Sequence, residues 1–346
     1  MIHAVELRGG KAAYRNRWIE TAGLRAERRA GRAFYGSLRA PFPPDRRLVG
    51  DDGDPSPVKN VANTNVIAHA QRILALYEGG LPYELDAALR TKGTFDFGGD
   101  AGPTMTAHPK RDPRDGSLHF FSYGLEPPYL TYYEADAAGT VVRKQSLELA
   151  NLTVVHDCLL TERSFVLVIP PLFLALARVM RGKPLMRWEP ERGAQIVIID
   201  RADRAKEPQR VTLEPFFFWH FLNGFEEGDE LTIDLIAHAS LEASIRSDTP
   251  ASSLVRLHVD RRARSASLER RDDRFIEFPR RGGRGPPLSV RVRRRLRLHG
   301  NARRAARSHV RCARALRHAH RRLRRALVRP GRLPGRTRDR TESRRS

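Results

Sequence analysis

Cysteine is nearly absent: Cys158 and Cys312 are the only two in 346 residues. Two thiols cannot build the disulfide framework of a small secreted fold, and they suit a reducing compartment. Long apolar runs are also missing. No stretch of about 18 uninterrupted apolar residues occurs, so no ordinary transmembrane helix is expected. Met1-Ile2-His3-Ala4-Val5 leads directly into charged residues. No signal peptide is therefore expected, and the expected location is the cytoplasm. Strand–helix alternation is lacking, which argues against a doubly wound α/β fold. From residue 281 onward, lysine and aromatic residues are absent altogether.

The formal net charge of +23 would ordinarily point to a nucleic-acid partner. Its distribution removes that reading from most of the chain. Residues 281–346 hold 24 arginines against one aspartate and one glutamate, a net of +22, which leaves +1 for residues 1–280. The body is close to neutral, and nucleic acid is not an expected partner for it. With no aromatics and few β-branched residues, 281–346 is expected to be disordered or loosely helical.

The body contains many short strand-like runs. Residues 2–7 alternate, Gly9-Gly10 turns, and Ala13–Ile19 reads as the hairpin partner. Asn63–Ile67 and Arg72–Tyr77 read as a second hairpin, and Leu81–Leu89 as a short turn of helix. From Met105–His108 the runs become regular: Leu118–Tyr123, Tyr129–Ala135, Thr140–Leu147, Asn151–Leu160, Ser164–Ile169, Ile196–Ile199, Gln209–Leu213, Phe217–Leu222, Glu230–Ala237, Leu254–Asp260 and Ser265–Arg270. Short strands at steady spacing with turn residues between them predict an all-β barrel, sandwich or propeller. Pro170–Trp188 interrupts the series and reads as a helical loop packed on a sheet. A lip contacting a membrane surface peripherally, or lining an apolar entrance, is the alternative.

Three histidines stand at the edges of such runs. His108 lies in Thr106-Ala107-His108-Pro109-Lys110, His156 in Val154-Val155-His156-Asp157, and His220 in Trp219-His220-Phe221-Leu222-Asn223. Any one of them alone reads as a buried, hydrogen-bonded core residue. The recurrence suggests one site assembled from distant segments, and neutral imidazole is the commonest metal ligand. Three histidines by themselves would suggest zinc. His3, His69, His119, His238 and His258 read as structural or surface residues.

In order and spacing, several motifs resemble the carotenoid cleavage oxygenases, the family that includes retinoid isomerohydrolase and the stilbene-cleaving dioxygenases. They are Met1–Val5, Tyr14-Arg15-Asn16-Arg17-Trp18, Asn63-Thr64-Asn65, Leu76-Tyr77-Glu78-Gly79-Gly80, Thr106–Lys110, Val155-His156-Asp157, Trp188-Glu189-Pro190, Trp219–Asn223 and Phe275–Pro279. The resemblance covers roughly residues 1–280. It implies a seven-bladed β-propeller with one iron(II), Fe(2+), on its axis, held by four histidines. His108, His156 and His220 would be three of these, with Glu78 and Glu277 supporting the imidazoles from behind. The implied reaction is dioxygen-dependent cleavage of a conjugated carbon–carbon double bond in a hydrophobic polyene, a carotenoid or apocarotenoid. Trp18 and Thr64 occupy positions where stilbene cleavers carry a tyrosine and a lysine, so a hydroxystilbene is the second choice. Trp18, Thr64 and Phe221 are candidate tunnel residues.

Two departures shape the expectations. Family chains begin earlier, so this Met1 resembles an internal methionine and the start is expected to be truncated. The resemblance ends near Arg280, before the fourth histidine. His299-Gly300 imitates the missing motif but follows His220 by too few residues. The expected domains are a partial propeller, 1–280, and an arginine-rich tail, 281–346, read as out-of-frame sequence. The propeller is accordingly expected to be incomplete, and the chain as written to bind iron weakly and be inactive. A reading from another class remains: a non-enzymatic basic protein binding nucleic acid or anionic membrane through its tail.

Overall fold

The structure is a computed structural model and describes residues 1–37, 41–51, 53–175, 178, 181–245 and 252–272. The tail expectations and Glu277 lie outside these residues.

The chain opens with the hairpin β1 (Ile2–Arg8) and β2 (Lys11–Arg17), paired from Arg8–Lys11 outward. Gly9 and Gly10 both take positive φ, 56° and 74°, the two-residue turn whose twist matches that of the flanking strands. Helix α1 (Ala22–Ala30) follows. Thr21 caps it by accepting from the Leu24 amide, and Gly31 ends it at φ 66°. Helix α2 (Arg46–Val49) is a single turn.

Four antiparallel four-stranded meanders come next, in chain order. The first is β3 (Asn65–His69), β4 (Arg72–Leu76), β5 (Tyr83–Leu85) and β6 (Thr91–Thr94). The second is β7 (Lys110–Arg111), β8 (Leu118–Tyr123), β9 (Leu130–Ala135) and β10 (Val141–Leu147). The third uses β11 (Leu159–Leu160) and β12 (Ser164–Ile169). It sets aside a small hairpin, β13 (Leu172–Leu174) with β14 (Met186–Trp188), then adds β15 (Ala194–Asp200) and β16 (Gln209–Leu213). The fourth is β17 (Phe217–Glu227), β18 (Glu230–His238), β19 (Ser252–Asp260) and β20 (Ser265–Asp272), with a short α3 (Leu241–Ile245) between β18 and β19.

The period-two geometry of a strand explains how these sheets stack. Phe120 on β8 packs with Leu74 and Leu76 of the first sheet, while its neighbour Phe121 packs with Phe165 and Leu167 of the third. On β12, Phe165 and Leu167 face the second sheet, and Val166 and Val168 join Ile233 and Leu235 of the fourth. An interior sheet is therefore apolar on both faces, which is why Ser164–Ile169 is buried at every position. At Gly224 on β17, an added Cβ would lie 2.3 Å from the Leu159 side chain, so a larger residue there would force Leu159 to move where the fourth sheet meets the third.

The structure differs from the sequence reading in four stretches. Leu81–Leu89 is not helical: Tyr83 and Leu85 are buried on one side of Glu84, and this alternation makes a strand paired with β4. Met105–His108 is irregular backbone, and the strand begins only after Pro109, which has no N–H to give a ladder. Of Asn151–Leu160, only the last two residues form a strand. In Pro170–Trp188, both ends pair as the β13–β14 hairpin, with Leu172 opposite Trp188, while Arg178 between them is helical and 176–177 and 179–180 lie outside the described residues.

Away from the histidines, Asp112 ties the second sheet to the third. Its buried carboxylate accepts from Arg114 Nη2 at 2.8 Å and Arg201 Nη2 at 2.5 Å, and Arg201 also donates to the Thr161 carbonyl. Burial pushes the Asp112 carboxyl up, but the hydrogen bonds from Arg114 and Arg201 outweigh it and hold the group well below the usual carboxylate range. A depressed folded value contributes stability that is full above the unfolded value of about 3.9 and is lost as the pH falls toward the folded one. Acid unfolding below about pH 4 should therefore be shallower in Asp112→Asn than in the unaltered chain. The packing makes a second prediction. Phe165 is fully buried and its ring lies 4.5 Å from that of Tyr132. Phe165→Ala should cost about 3–5 kcal/mol, read as a lower denaturant midpoint.

Candidate metal centre

Each of the three histidines sits at or just before the first strand of its sheet. His108 precedes β7 by two residues, His156 precedes β11 by three, and His220 lies within β17. The first strands of the third and fourth sheets, β11 and β17, lie in contact, and the segment before β7 reaches the same point, so residues far apart in sequence meet there. One ring nitrogen from each comes within 4.8 Å of the others. The ring centroids are 4.6 Å apart for His108 and His156, 5.0 Å for His108 and His220, and 5.1 Å for His156 and His220. All three are half-buried.

The local backbone explains why these rings turn inward. His220 lies in an irregular part of the β17–β18 ladder, with register shifts between Phe218 and Phe221 and between Phe221 and Asn223. Such shifts re-aim side chains relative to a regular strand. The His156 segment is irregular but fixed: the Tyr123 hydroxyl accepts from the Val155 amide at 2.6 Å and donates to the Val155 carbonyl. The Trp219 ring meets His156 edge-on at 4.9 Å.

Glu78, in the loop after β4, accepts from His156 Nδ1 at 2.8 Å. An ionised carboxylate only accepts, so Nδ1 carries the proton and Nε2 presents a lone pair to the cluster. His108 Nε2 is 3.0 Å from His156 Nε2. Burial holds the His108 imidazole down to about 4, with His156, Lys110 and His220 acting in the same direction and Asp157 opposing them. His108 is therefore neutral at physiological pH, the form that can coordinate a metal. Two facing lone pairs at 3.0 Å repel unless a proton or a cation lies between them. Two metal–nitrogen bonds of about 2.1 Å at a right angle would put their nitrogens about 3.0 Å apart. The donor set fits a transition-metal ion held by imidazole.

The other predicted positions have these surroundings. Trp18 and Thr64 are exposed. The ring of Phe221 packs on Phe218 within the apolar core of the third and fourth sheets. His119 is a buried core histidine between the Tyr132 and Ser117 hydroxyls. Among the described residues, no other His, Cys, Asp or Glu joins the cluster. Sequence reasoning gave Asp157 no role, although a carboxylate beside His156 in an otherwise apolar run was a signal. It is buried, and all three histidine segments meet at it.

With this geometry in place, comparison with known proteins identifies the family. The family model RPE65, retinal pigment epithelial membrane protein, matches residues 1–284. The chain belongs to this family. Isoeugenol monooxygenase of Pseudomonas nitroreducens is 34% identical over 241 residues, covering 68% of this chain and 49% of that protein. A carotenoid cleavage oxygenase of Mycobacterium tuberculosis is 28% identical over 329 residues, covering 81% of this chain and 63% of that one. The crystal structure of Pseudomonas brassicacearum lignostilbene dioxygenase matches with a TM-score of 0.72 at 30% identity, over 80% of this chain and 60% of that one. The chain spans about half the length of the isoeugenol monooxygenases it matches. The fold is homologous to that of a β-propeller family, and the described residues include four four-stranded sheets in succession.

The Glu78 contact yields a direct prediction. Glu78→Gln should lower metal affinity about 10–100-fold with little loss of fold, measured by competition with a chelator. An unchanged affinity would show that the His156 tautomer does not depend on this carboxylate.

Proposed function

We propose that this chain carries the metal-binding part of a non-haem iron(II) oxygenase that cleaves a conjugated carbon–carbon double bond. The observation that supports this most directly is the convergence of His108, His156 and His220, with Glu78 behind His156. When bound, iron(II) would supply dioxygen binding and activation. The chain's own residues hold the donors. Glu78 fixes the proton on His156 Nδ1, burial keeps His108 neutral, and the Trp219 ring limits movement of His156. The chemistry calls for no side chain to donate or abstract a proton from the alkene. Protein selectivity then comes from where the alkene is held relative to the three nitrogens.

Two substrate classes are in play. Trp18 and Thr64 lack the tyrosine hydroxyl and lysine ammonium that would bind a phenol, and this favours a carotenoid or apocarotenoid. The identities favour a hydroxylated aryl-alkene: isoeugenol monooxygenase at 34% and lignostilbene dioxygenase at 30% stand above the mycobacterial carotenoid enzyme at 28%. The full chain, loaded anaerobically with iron(II) and then given oxygen with an apocarotenal or a hydroxystilbene, decides between them. Since the described residues bring three histidines together where the resemblance implies four, iron binding should be weak and aldehyde, formed only with iron, should appear in traces at most. Apocarotenal cleavage supports the first class and stilbene cleavage the second. Failure to bind iron, with no aldehyde from either, would sink the oxygenase reading for this chain.

The arginine-rich stretch 281–346 carries +22 and falls almost wholly beyond the family match, which ends at residue 284. Its proposed origin is translation in a wrong frame. Reading the coding DNA in the other frames beyond codon 280 should restore alternating strands and a histidine-containing motif. Stops or unpatterned sequence in both frames would reject this and favour a genuine basic tail.

A further inference from the structure

Asp157 is buried, and its two carboxylate oxygens reach all three histidine-bearing segments. Oδ1 accepts from Lys110 Nζ at 2.7 Å and from the Cys158 amide at 2.8 Å. Oδ2 accepts from the Phe221 amide at 3.0 Å. Lys110 is two residues from His108, Cys158 two from His156, and Phe221 one from His220. A further bond from Cys158 Sγ to the His108 carbonyl, at 3.4 Å, links two of the same segments.

We infer that Asp157 is the positioning residue of the histidine cluster: one carboxylate that sets the spacing of the three segments from which the imidazoles project. In its metal-binding aspect the inference rests on the reading of the cluster as a metal centre. The bonding pattern distinguishes it from an ordinary buried ion pair. An ion pair with Lys110 would use Oδ1 and leave Oδ2 to find any convenient donor. Here Oδ2 takes the amide that follows His220, in the part of β17 where the register of the ladder shifts. The segments carrying His108 and His156 are not strands, so no ladder fixes them either. Single backbone bonds, from the Thr106 amide to the Phe121 carbonyl and from the Val154 amide to the Leu172 carbonyl, hold their approaches, and nearer the imidazoles all three stretches share one side chain. Glu78 does a different job, since it orients a single ring from behind. Breaking such an arrangement also leaves Lys110 close to the imidazoles without its counter-charge.

The test uses the full 346-residue chain with Asp157→Asn, Asp157→Ala and Lys110→Met. Hydrogen–deuterium exchange is measured first without metal. In both Asp157 variants, exchange should rise about tenfold or more, together, in residues 106–110, 155–158 and 219–222, while β12 and β18 keep their protection. In Lys110→Met the rise should be confined to 106–110 and 155–158, because the Phe221 bond survives. Cobalt(II) affinity should then fall about 10–100-fold in Asp157→Asn, with a changed ligand-field absorption spectrum. The inference is overturned if only 155–158 responds, if the whole chain loosens equally, or if neither exchange nor the cobalt spectrum changes. Should the unaltered chain take up no cobalt, the metal reading falls, and the exchange pattern still decides whether Asp157 sets the spacing.

Discussion

Three imidazole nitrogens within 4.8 Å of one another are the constraint on which the rest of the arrangement depends. Three rings drawn from distant segments have no intrinsic reason to gather this closely, and the conformational freedom that would separate them must be opposed by the surrounding structure. The protein opposes it in two layers. Carboxylates and hydroxyls act close by: Glu78 behind His156, Asp157 between the segments, and Tyr123 on the Val155 peptide. Farther out, stacked sheets hold the segments through apolar packing.

The sheets and the site are connected by geometry. The third and fourth sheets meet at their first strands, β11 and β17, and the segment before β7 reaches the same point through Lys110 and the His108 carbonyl. Phe120 and Phe121, or Phe165 and Val166, bind opposite faces of the stack and fix the spacing between sheets. Gly224 leaves room for the Leu159 side chain at this contact, and His220 lies four residues before it on the same strand. A change in packing there would alter the distance from His220 to the other two rings.

Much of this was legible in the sequence because it depends on local chemistry. The Gly9-Gly10 turn, the alternation in the strands and the placement of three lone histidines at strand edges all carry short-range signals. The stretches around His108 and His156 were read as strands because Met105–His108 and Asn151–Leu160 contain the right residues. Their actual path is set by distant partners, such as Thr106 bonding Phe121 and Asp157 bonding Phe221, which no local pattern reveals. Leu81–Leu89 shows the limit of periodicity in short windows, where three alternating residues and one helical turn look alike. Phe221 illustrates another limit. It was a tunnel candidate alongside the family resemblance, and the packing of its ring on Phe218, in a part of β17 where the register shifts, is not written in the local sequence.

The most direct test of the account is X-ray absorption at the iron edge on the full chain loaded anaerobically with iron(II), with His156→Ala as the control. The account predicts three imidazole ligands, with about one fewer or no stoichiometric iron in the variant. Iron bound mainly through carboxylate or water oxygens, and unaffected by loss of His156, would contradict it.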